Sequence, residues 1–344
     1  MRTWLSSCVS MLRARILRNR PINCRRRRLD QRTYLMGAVG FQEATWIWRD
    51  GEYVAWHECK VHLLATAVQF GTSVFEGIRA YETPEGPAVF RLDAHIDRLI
   101  DSAKIYRMVP DYSADDLAKA CLDTIRKNEV KNCYIRPMII RGYGTPGLNP
   151  TLSPLETYVA AWGWGTYLGA EALEAGVDVC VSSWQRMAPN TFPARAKAGG
   201  HYVNAQLMKM EAVQNGYADA IALGPGGLVS EGSGMNLFIV DGGRVISPVL
   251  DGTSLVGITR SAVMQIAMDL GYEVEERPVP RESLYTADEL FFAGTAAEVT
   301  PVRSVDRIEI GEGKAGPVTL DIQRRFLQTA QGKNDDPHGY LTHV

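Results

Sequence analysis

The 344-residue chain lacks most of the features that announce a protein's class. Its six cysteines (Cys8, Cys24, Cys59, Cys121, Cys133 and Cys180) lie far apart and form no C-x-x-C pair, which removes the spacing that zinc sites and disulfide frameworks need. No metal site is expected, and reduced thiols in a cytoplasmic protein fit this usage. No apolar run approaches the roughly 20 residues of a membrane helix. The pattern G-x-x-x-x-G-K-[ST] of a phosphate-binding P-loop is absent. Internal repeats are missing too, and the only biased tract is at the N-terminus. The formal net charge is −2, so the body carries no basic excess of the kind that accompanies nucleic-acid binding. Small molecules are the expected partners, with no nucleic acid and no membrane.

What is present is an ordinary globular composition, 46% hydrophobic and 22% charged, at a length that suits about two domains. Residues 1–35 stand apart. Arg2, Arg13, Arg15, Arg18, Arg20, Arg25 to Arg28 and Arg32 face a single acid, Asp30. This basic leader reads as a solvated tail, as upstream sequence ahead of a true start at Met36, or as an organelle transit peptide. Binding of RNA or acidic lipid by the Arg25 to Arg28 run is a further reading.

The folded part opens with Trp46-Ile47-Trp48, an Asp50-Gly51 turn and Tyr53-Val54-Ala55-Trp56, the pattern of a hairpin. Ala88 to Arg91 reads as a strand, and Asp93 as the N-cap of a helix bearing His95, Arg98, Leu99 and Ser102. Ser113 and Asp116 form a capping-box pattern ahead of Leu117, Cys121 and Ile125. Tyr134 to Ile140 and Thr157 to Trp162 are apolar strand candidates. The pattern breaks over 165–176, where an interdomain connection is expected. This gives a small α/β domain at 36–164 and a larger one at 177–344.

The second half alternates strands (Val177 to Val181, Ala220 to Leu223, Leu237 to Val240, Glu289 to Ala293) with helices (Tyr202 to Asn215, Arg260 to Leu270, Val318 to Ala330). The fold class is therefore a two-domain α/β or α+β architecture. Val263, Ile266, Ala267 and Leu270 follow helical spacing just after Gly257-Ile258-Thr259.

Four places carry candidate chemistry. Lys197 sits in ARAKAGGHY between small residues that let a flat ring approach the backbone. Glu231 follows Leu228-Val229-Ser230. Gly257-Ile258-Thr259 offers N–H groups at the positive end of a helix, an anion site. Thr295 lies in a Gly-Thr-Ala turn that adds a hydroxyl. Taken singly, each has an ordinary explanation as a surface lysine, a loop acid, a capped helix or a strand-end turn. Taken together they supply what pyridoxal 5'-phosphate needs: an amine for its aldehyde, an acid for its ring nitrogen and donors for its phosphate. Arg98 would add a charged contact to that phosphate. Arg136 lies in an otherwise apolar strand, where an unpaired guanidinium is costly, so it requires either a structural acid or a hydroxyl such as Tyr134 beside a carboxylate-receiving pocket.

These segments resemble the branched-chain amino acid aminotransferases of the bacterial type. The resemblance runs from about Trp46 to Leu327 and is carried by GTSVFEGIRAY (Gly71 to Tyr81), HIDRLIDSAKIYRM (His95 to Met108), YIRP (Tyr134 to Pro137), AKAGGHY (Ala196 to Tyr202), SEGSGMNLF (Ser230 to Phe238), GITR (Gly257 to Arg260) and GTAAEVTPV (Gly294 to Val302). It implies the fold of the fold type IV pyridoxal-phosphate enzymes, which is D-amino acid aminotransferase-like. It also implies a ping-pong transamination in which leucine, isoleucine or valine gives up its amine and 2-oxoglutarate takes it as glutamate.

By the same resemblance Lys197 holds the cofactor as a Schiff base and moves the proton, Tyr202 bonds the ring O3', and Glu231 partners the ring nitrogen. Arg98, Gly257, Ile258, Thr259 and Thr295 hold the phosphate. Phe75, Tyr134, Arg136, Trp164, Thr295 and Ala296 receive the substrate. A homodimer or a trimer of dimers is implied. In one departure, Phe70 stands where the family commonly has tyrosine, so a hydroxyl is missing there. D-amino acid aminotransferase and aminodeoxychorismate lyase share the lysine and glutamate; the Tyr134-x-Arg136 strand and the GTAAEVTPV turn favour the branched-chain enzyme. A non-catalytic relative that binds RNA or lipid through the leader is the remaining alternative.

Overall fold

The Asp50-Gly51 turn does what its sequence demands. Both residues take positive φ, 45° and 91°, and the flanking strands pair Trp46 with Ala55 and Arg49 with Glu52. The computed structural model describes residues 42–165 and 170–344; the basic leader falls outside them. The described residues form one compact unit.

The first sheet contains β1 (Trp46–Arg49), β2 (Glu52–Ala55), β3 (Ser73–Phe75), β4 (Ile78–Thr83), β5 (Gly86–Phe90), β6 (Cys133–Arg141) and β7 (Leu155–Gly163). The second contains β8 (Val177–Val181), β9 (Asp219–Leu223), β10 (Val229–Gly232), β11 (Asn236–Asp241), β12 (Arg244–Pro248), β13 (Val274–Arg277), β14 (Glu289–Gly294), β15 (Glu298–Val305) and β16 (Ile308–Glu309). The last strand, β17 (Leu341–His343), does not stay with its neighbours in sequence. It pairs antiparallel with β5, so the chain ends on the edge of the first sheet. The strand order of the first sheet is β17-β5-β4-β6-β7-β1-β2, with β3 beside β6; that of the second is β10-β9-β8-β15-β14-β11-β12-β13, with β16 beside β15.

Two helices, α1 (Leu92–Ile105) and α2 (Ala114–Asn128), cover the first sheet through Leu99, Leu117, Ile125, Ile135 and Val159, all 1% exposed or less. Each such side chain contributes about 1.5–3 kcal/mol relative to exposure. The reciprocal capping box at α2 is present: Ser113 accepts from the Asp116 N–H, and the Asp116 carboxylate accepts from the Ser113 N–H. Asp93, in contrast, is not a cap. Arg91 takes that place with φ 58°, its N–H bound to the Tyr340 carbonyl, and the helix begins two residues early. Asp93 sits within the first turn, where its charge still favours the positive helix end.

Helices α3 (Tyr202–Gln214), α4 (Ile258–Asp269) and α5 (Pro317–Ala330) belong to the second half. Helices α4 and α5 pack Val263, Ile266, Ile322 and Phe326 onto Phe238 and Phe291, whose rings stack across β11 and β14 at 4.9 Å. Tyr81 and Phe90 from the first sheet enter the same cluster, which joins the two halves through apolar contact. The expected break over 165–176 contains a short helix, Ala170–Ala175. Among the described residues, no helix is long and apolar enough to cross a membrane.

Candidate active site

Both sheets contribute to the walls of a cavity of about 440 Å³, and every site residue singled out from the sequence lines it. Lys197 reaches it from an irregular crossing segment that is pinned on both sides. Its carbonyl accepts from the Phe75 N–H at 3.0 Å, its own N–H donates to Ser102 Oγ at 2.9 Å, and Ala198 bridges to Val74. The side chain then lies with Nζ 2.6 Å from Tyr202 Oη and 5.1 Å from the centre of the Phe75 ring. Gly199 is required by the local packing, since a Cβ there would meet Ser73 Oγ at 2.3 Å. The small residues after Lys197 thus serve the close approach of β3.

Glu231 is not on a loop. It lies in β10, where the register against β9 shifts between Val229 and Glu231, an irregularity of the kind that re-aims a side chain. The carboxylate is buried and partnered on both oxygens: Oε1 is ion-paired with Arg186 Nη2 at 2.8 Å, and Oε2 accepts from the Leu255 N–H at 3.2 Å and Asn236 Nδ2 at 3.3 Å. Burial pushes its pKa upward, while the Arg186 charge and the Leu255 N–H oppose the shift. Arg186 also donates to the Thr253 carbonyl and Asn204 Oδ1, both at 3.3 Å. Arg186, Asn236 and Leu255 are not singled out by the sequence. Only the general demand of a buried acid for a cationic partner signals them, and that demand does not say which arginine answers it.

Helix α4 starts at the cavity with Gly257 as its N-cap, which has no side chain to bond the first turn. Its leading N–H groups therefore keep the partly positive character of a helix start. Glycine is obligatory here: a Cβ would lie 1.9 Å from Asn236 Oδ1. Ile258 and Thr259 are buried at this tip. Arg98, from α1, is tied to the same place by a 2.8 Å bond from Nη1 to the Val256 carbonyl. Thr295 and Ala296 face the cavity from the turn that follows β14.

The opposite wall comes from β6 and β7, where Tyr134 pairs with Trp162 and Arg136 with Ala160. Arg136 has found the hydroxyl partner. Nη2 donates to Tyr134 Oη at 3.2 Å, and the guanidinium lies 4.6 Å from the Phe75 ring centre. Among the described residues its buried Nε has no hydrogen-bond partner, a donor left for something that enters the cavity. Gly77 makes room for this arrangement, because a Cβ there would lie 1.8 Å from Tyr134 Oη. Trp164 packs at 5.3 Å from the Tyr134 ring. Phe70 is 49% exposed and does not line this cavity. Among the described residues, no cluster of three or more histidines, cysteines and acids is arranged to hold a metal.

An amine, a buried acid, a helix start with a glycine cap and a spare guanidinium N–H in one cavity fit a flat aldehyde cofactor with a phosphate arm and a carboxylate-bearing substrate. Comparison with known proteins agrees. Residues 73–305 match the family model described as amino-transferase class IV. The branched-chain-amino-acid aminotransferase of Escherichia coli (strain K12) is 50% identical over 304 residues, which is 88% of this chain and 98% of that protein. The crystal structure of the E. coli branched-chain amino acid aminotransferase superposes with a TM-score of 0.86, covering 88% of this chain and 99% of the other at 50% identity. The T.th. branched-chain amino acid aminotransferase complexed with N-(5'-phosphopyridoxyl)-L-glutamate superposes at 0.83 with 44% identity, covering 88% and 99%. With that likeness extending over nearly the whole of each relative, the chain belongs to the class IV aminotransferases and, within them, to the branched-chain-amino-acid aminotransferases.

Proposed function

We propose that this enzyme transfers the amino group of leucine, isoleucine or valine to 2-oxoglutarate in a ping-pong cycle that uses pyridoxal 5'-phosphate. The observation that carries the reading is the 2.6 Å contact of Lys197 Nζ with Tyr202 Oη inside a cavity that also holds Glu231 and the start of α4. When bound, the cofactor supplies a ring that accepts the electrons released at the substrate Cα. Lys197 would hold the aldehyde until the substrate amine displaces it, and its freed amine would then carry the proton from Cα to C4'. Tyr202 orients the lysine amine and bonds the ring oxygen. Glu231, kept in place by Arg186, holds the ring nitrogen in its protonated form. Arg98, Gly257, Ile258, Thr259 and Thr295 receive the phosphate.

One cavity must accept two kinds of side chain. Phe75 and Trp164 give an apolar wall for the branched substrates, while Arg136 with Tyr134 receives the side-chain carboxylate of glutamate. The glutamate adduct held by the T.th. relative supports that second use. Backbone N–H groups of the Thr295-Ala296 turn bind the α-carboxylate.

Residues 36–164 and 177–344 act as two domains joined by 165–176, with β17 returned to the first. The enzyme works as a homodimer or a trimer of dimers in the cytoplasm. The deciding experiment assays the purified chain with L-leucine and 2-oxoglutarate beside Lys197→Ala. Glutamate formation by the unaltered chain alone is expected. Amine transfer from D-alanine instead, or pyruvate release from aminodeoxychorismate, overturns the reading.

A further inference from the structure

Behind the proposed phosphate site lies a carboxylate that the mechanism above does not use. Glu76 follows β3 and is 0% exposed. An ion so placed is costly unless its lone pairs are engaged, and here both oxygens are. Arg98 Nε donates to Oε1 at 2.6 Å, and Arg98 Nη2 to Oε2 at 2.9 Å. His95 Nδ1 donates to Oε2 at 2.7 Å, and the Gly77 N–H reaches Oε2 at 3.3 Å. Burial alone would raise the Glu76 pKa, but the Arg98 and His95 contacts outweigh it and hold the carboxyl well below the usual range. Burial lowers the His95 pKa, and the Glu76 carboxylate it bonds opposes that shift.

The forked contact fixes two of the three guanidinium nitrogens of Arg98, and the Val256 carbonyl fixes the third. A guanidinium held on three sides cannot swing. Its remaining N–H bonds point from one defined position, next to the first turn of α4.

We infer that Glu76, steadied by His95, is a positioning residue that locks Arg98 in the orientation in which it receives the cofactor phosphate. This rests on the proposed cofactor reading. It makes a prediction opposite to that of simple charge attraction: removing a negative charge near a phosphate should strengthen binding, whereas losing the lock should weaken it.

The test measures the affinity of the full chain for pyridoxal 5'-phosphate by titrating the stripped protein and following the cofactor absorbance band, with inorganic phosphate as a competing probe. Glu76→Gln is expected to weaken cofactor binding about 10-fold or more, the scale of a lost charge-assisted contact, and to weaken phosphate competition in parallel. Arg98→Lys is expected to weaken both as well. The double variant should be no weaker than Arg98→Lys alone, because Glu76 acts only through Arg98. Equal or tighter binding by Glu76→Gln, or losses that multiply in the double variant, overturns the inference. Should Glu76→Gln not fold, Glu76→Asp keeps the charge and shortens the reach; weaker binding is expected and unchanged binding refutes the inference. If the unaltered chain binds no cofactor, it is the functional reading that fails, and the two failures are distinct.

Discussion

Arg186 Nη2 lies 2.8 Å from Glu231 Oε1, and both buried side chains border the cavity. The acid assigned to the cofactor ring therefore has a permanent cation on one oxygen and the Leu255 N–H and Asn236 amide on the other. Replacing it has two separable effects. Glu231→Ala should slow Cα deprotonation more than it weakens cofactor capture. It should also destabilise the fold by about 3–5 kcal/mol, because Arg186 is left as an uncompensated buried charge. Single-turnover rates with leucine and a denaturant titration measure the two; a variant as stable as the parent would show that Arg186 has another partner.

Arg136 separates the two halves of the reaction. With Arg136→Ala, kcat/KM for 2-oxoglutarate should fall about 10–100-fold, the scale of a charge-assisted contact. The leucine half-reaction should change by only a few-fold. Equal losses in both halves would place Arg136 at the α-carboxylate instead.

Gly257 is constrained by Asn236. In Gly257→Ala the new methyl would meet Asn236 Oδ1 at 1.9 Å, and Asn236 also donates to Glu231 and the Leu255 carbonyl. The amide must move, and the acid and the helix start move with it. Cofactor affinity is expected to drop about 10-fold, on the scale of one lost contact to a charged group. Titration of the stripped protein checks this, and an unchanged affinity would mean that the helix tip does not bind the phosphate.

His201, whose Nε2 is 2.8 Å from Tyr106 Oη, gives the fold a pH dependence. Burial, and then the Arg186 charge, lower its pKa from 6.5 to about 4. Between those values the unfolded chain binds a proton that the folded chain refuses, so this contribution to stability is complete above 6.5 and is lost as pH falls towards 4. Thermal midpoints should decline across that window, and His201→Asn should flatten the decline. An unchanged slope in the variant would assign the pH dependence to other groups.

Much of the architecture is legible in local chemistry. The Asp50-Gly51 turn, the Ser113-Asp116 box and the helical spacing from Val263 to Leu270 each specify their own geometry through contacts a few residues apart, and the structure keeps all three. Strand β8 lies where its apolar run predicts, whereas β12, β13 and β17 are not among the strands expected from the sequence. Short strands such as these owe their pairing to partners distant in sequence, Val245 with Val274 and Leu341 with Phe90, and carry little local pattern. Arg91 takes the cap from Asp93 for a similar reason: the Tyr340 carbonyl, brought by the returning C-terminus, holds its N–H.

By itself the sequence determined which groups this protein has for chemistry: one lysine among small residues, an acid after Leu228-Val229-Ser230, a glycine at a helix start and an arginine in an apolar strand. Residue type and spacing fix what such groups can do. Only the tertiary structure decided which of them meet and who supports them. Arg186 answers Glu231 from a distant part of the chain, and Glu76 grips Arg98 across 22 positions. Desolvation makes those pairings obligatory, but it acts only once the chain has closed around them, so no stretch of sequence contains the information alone.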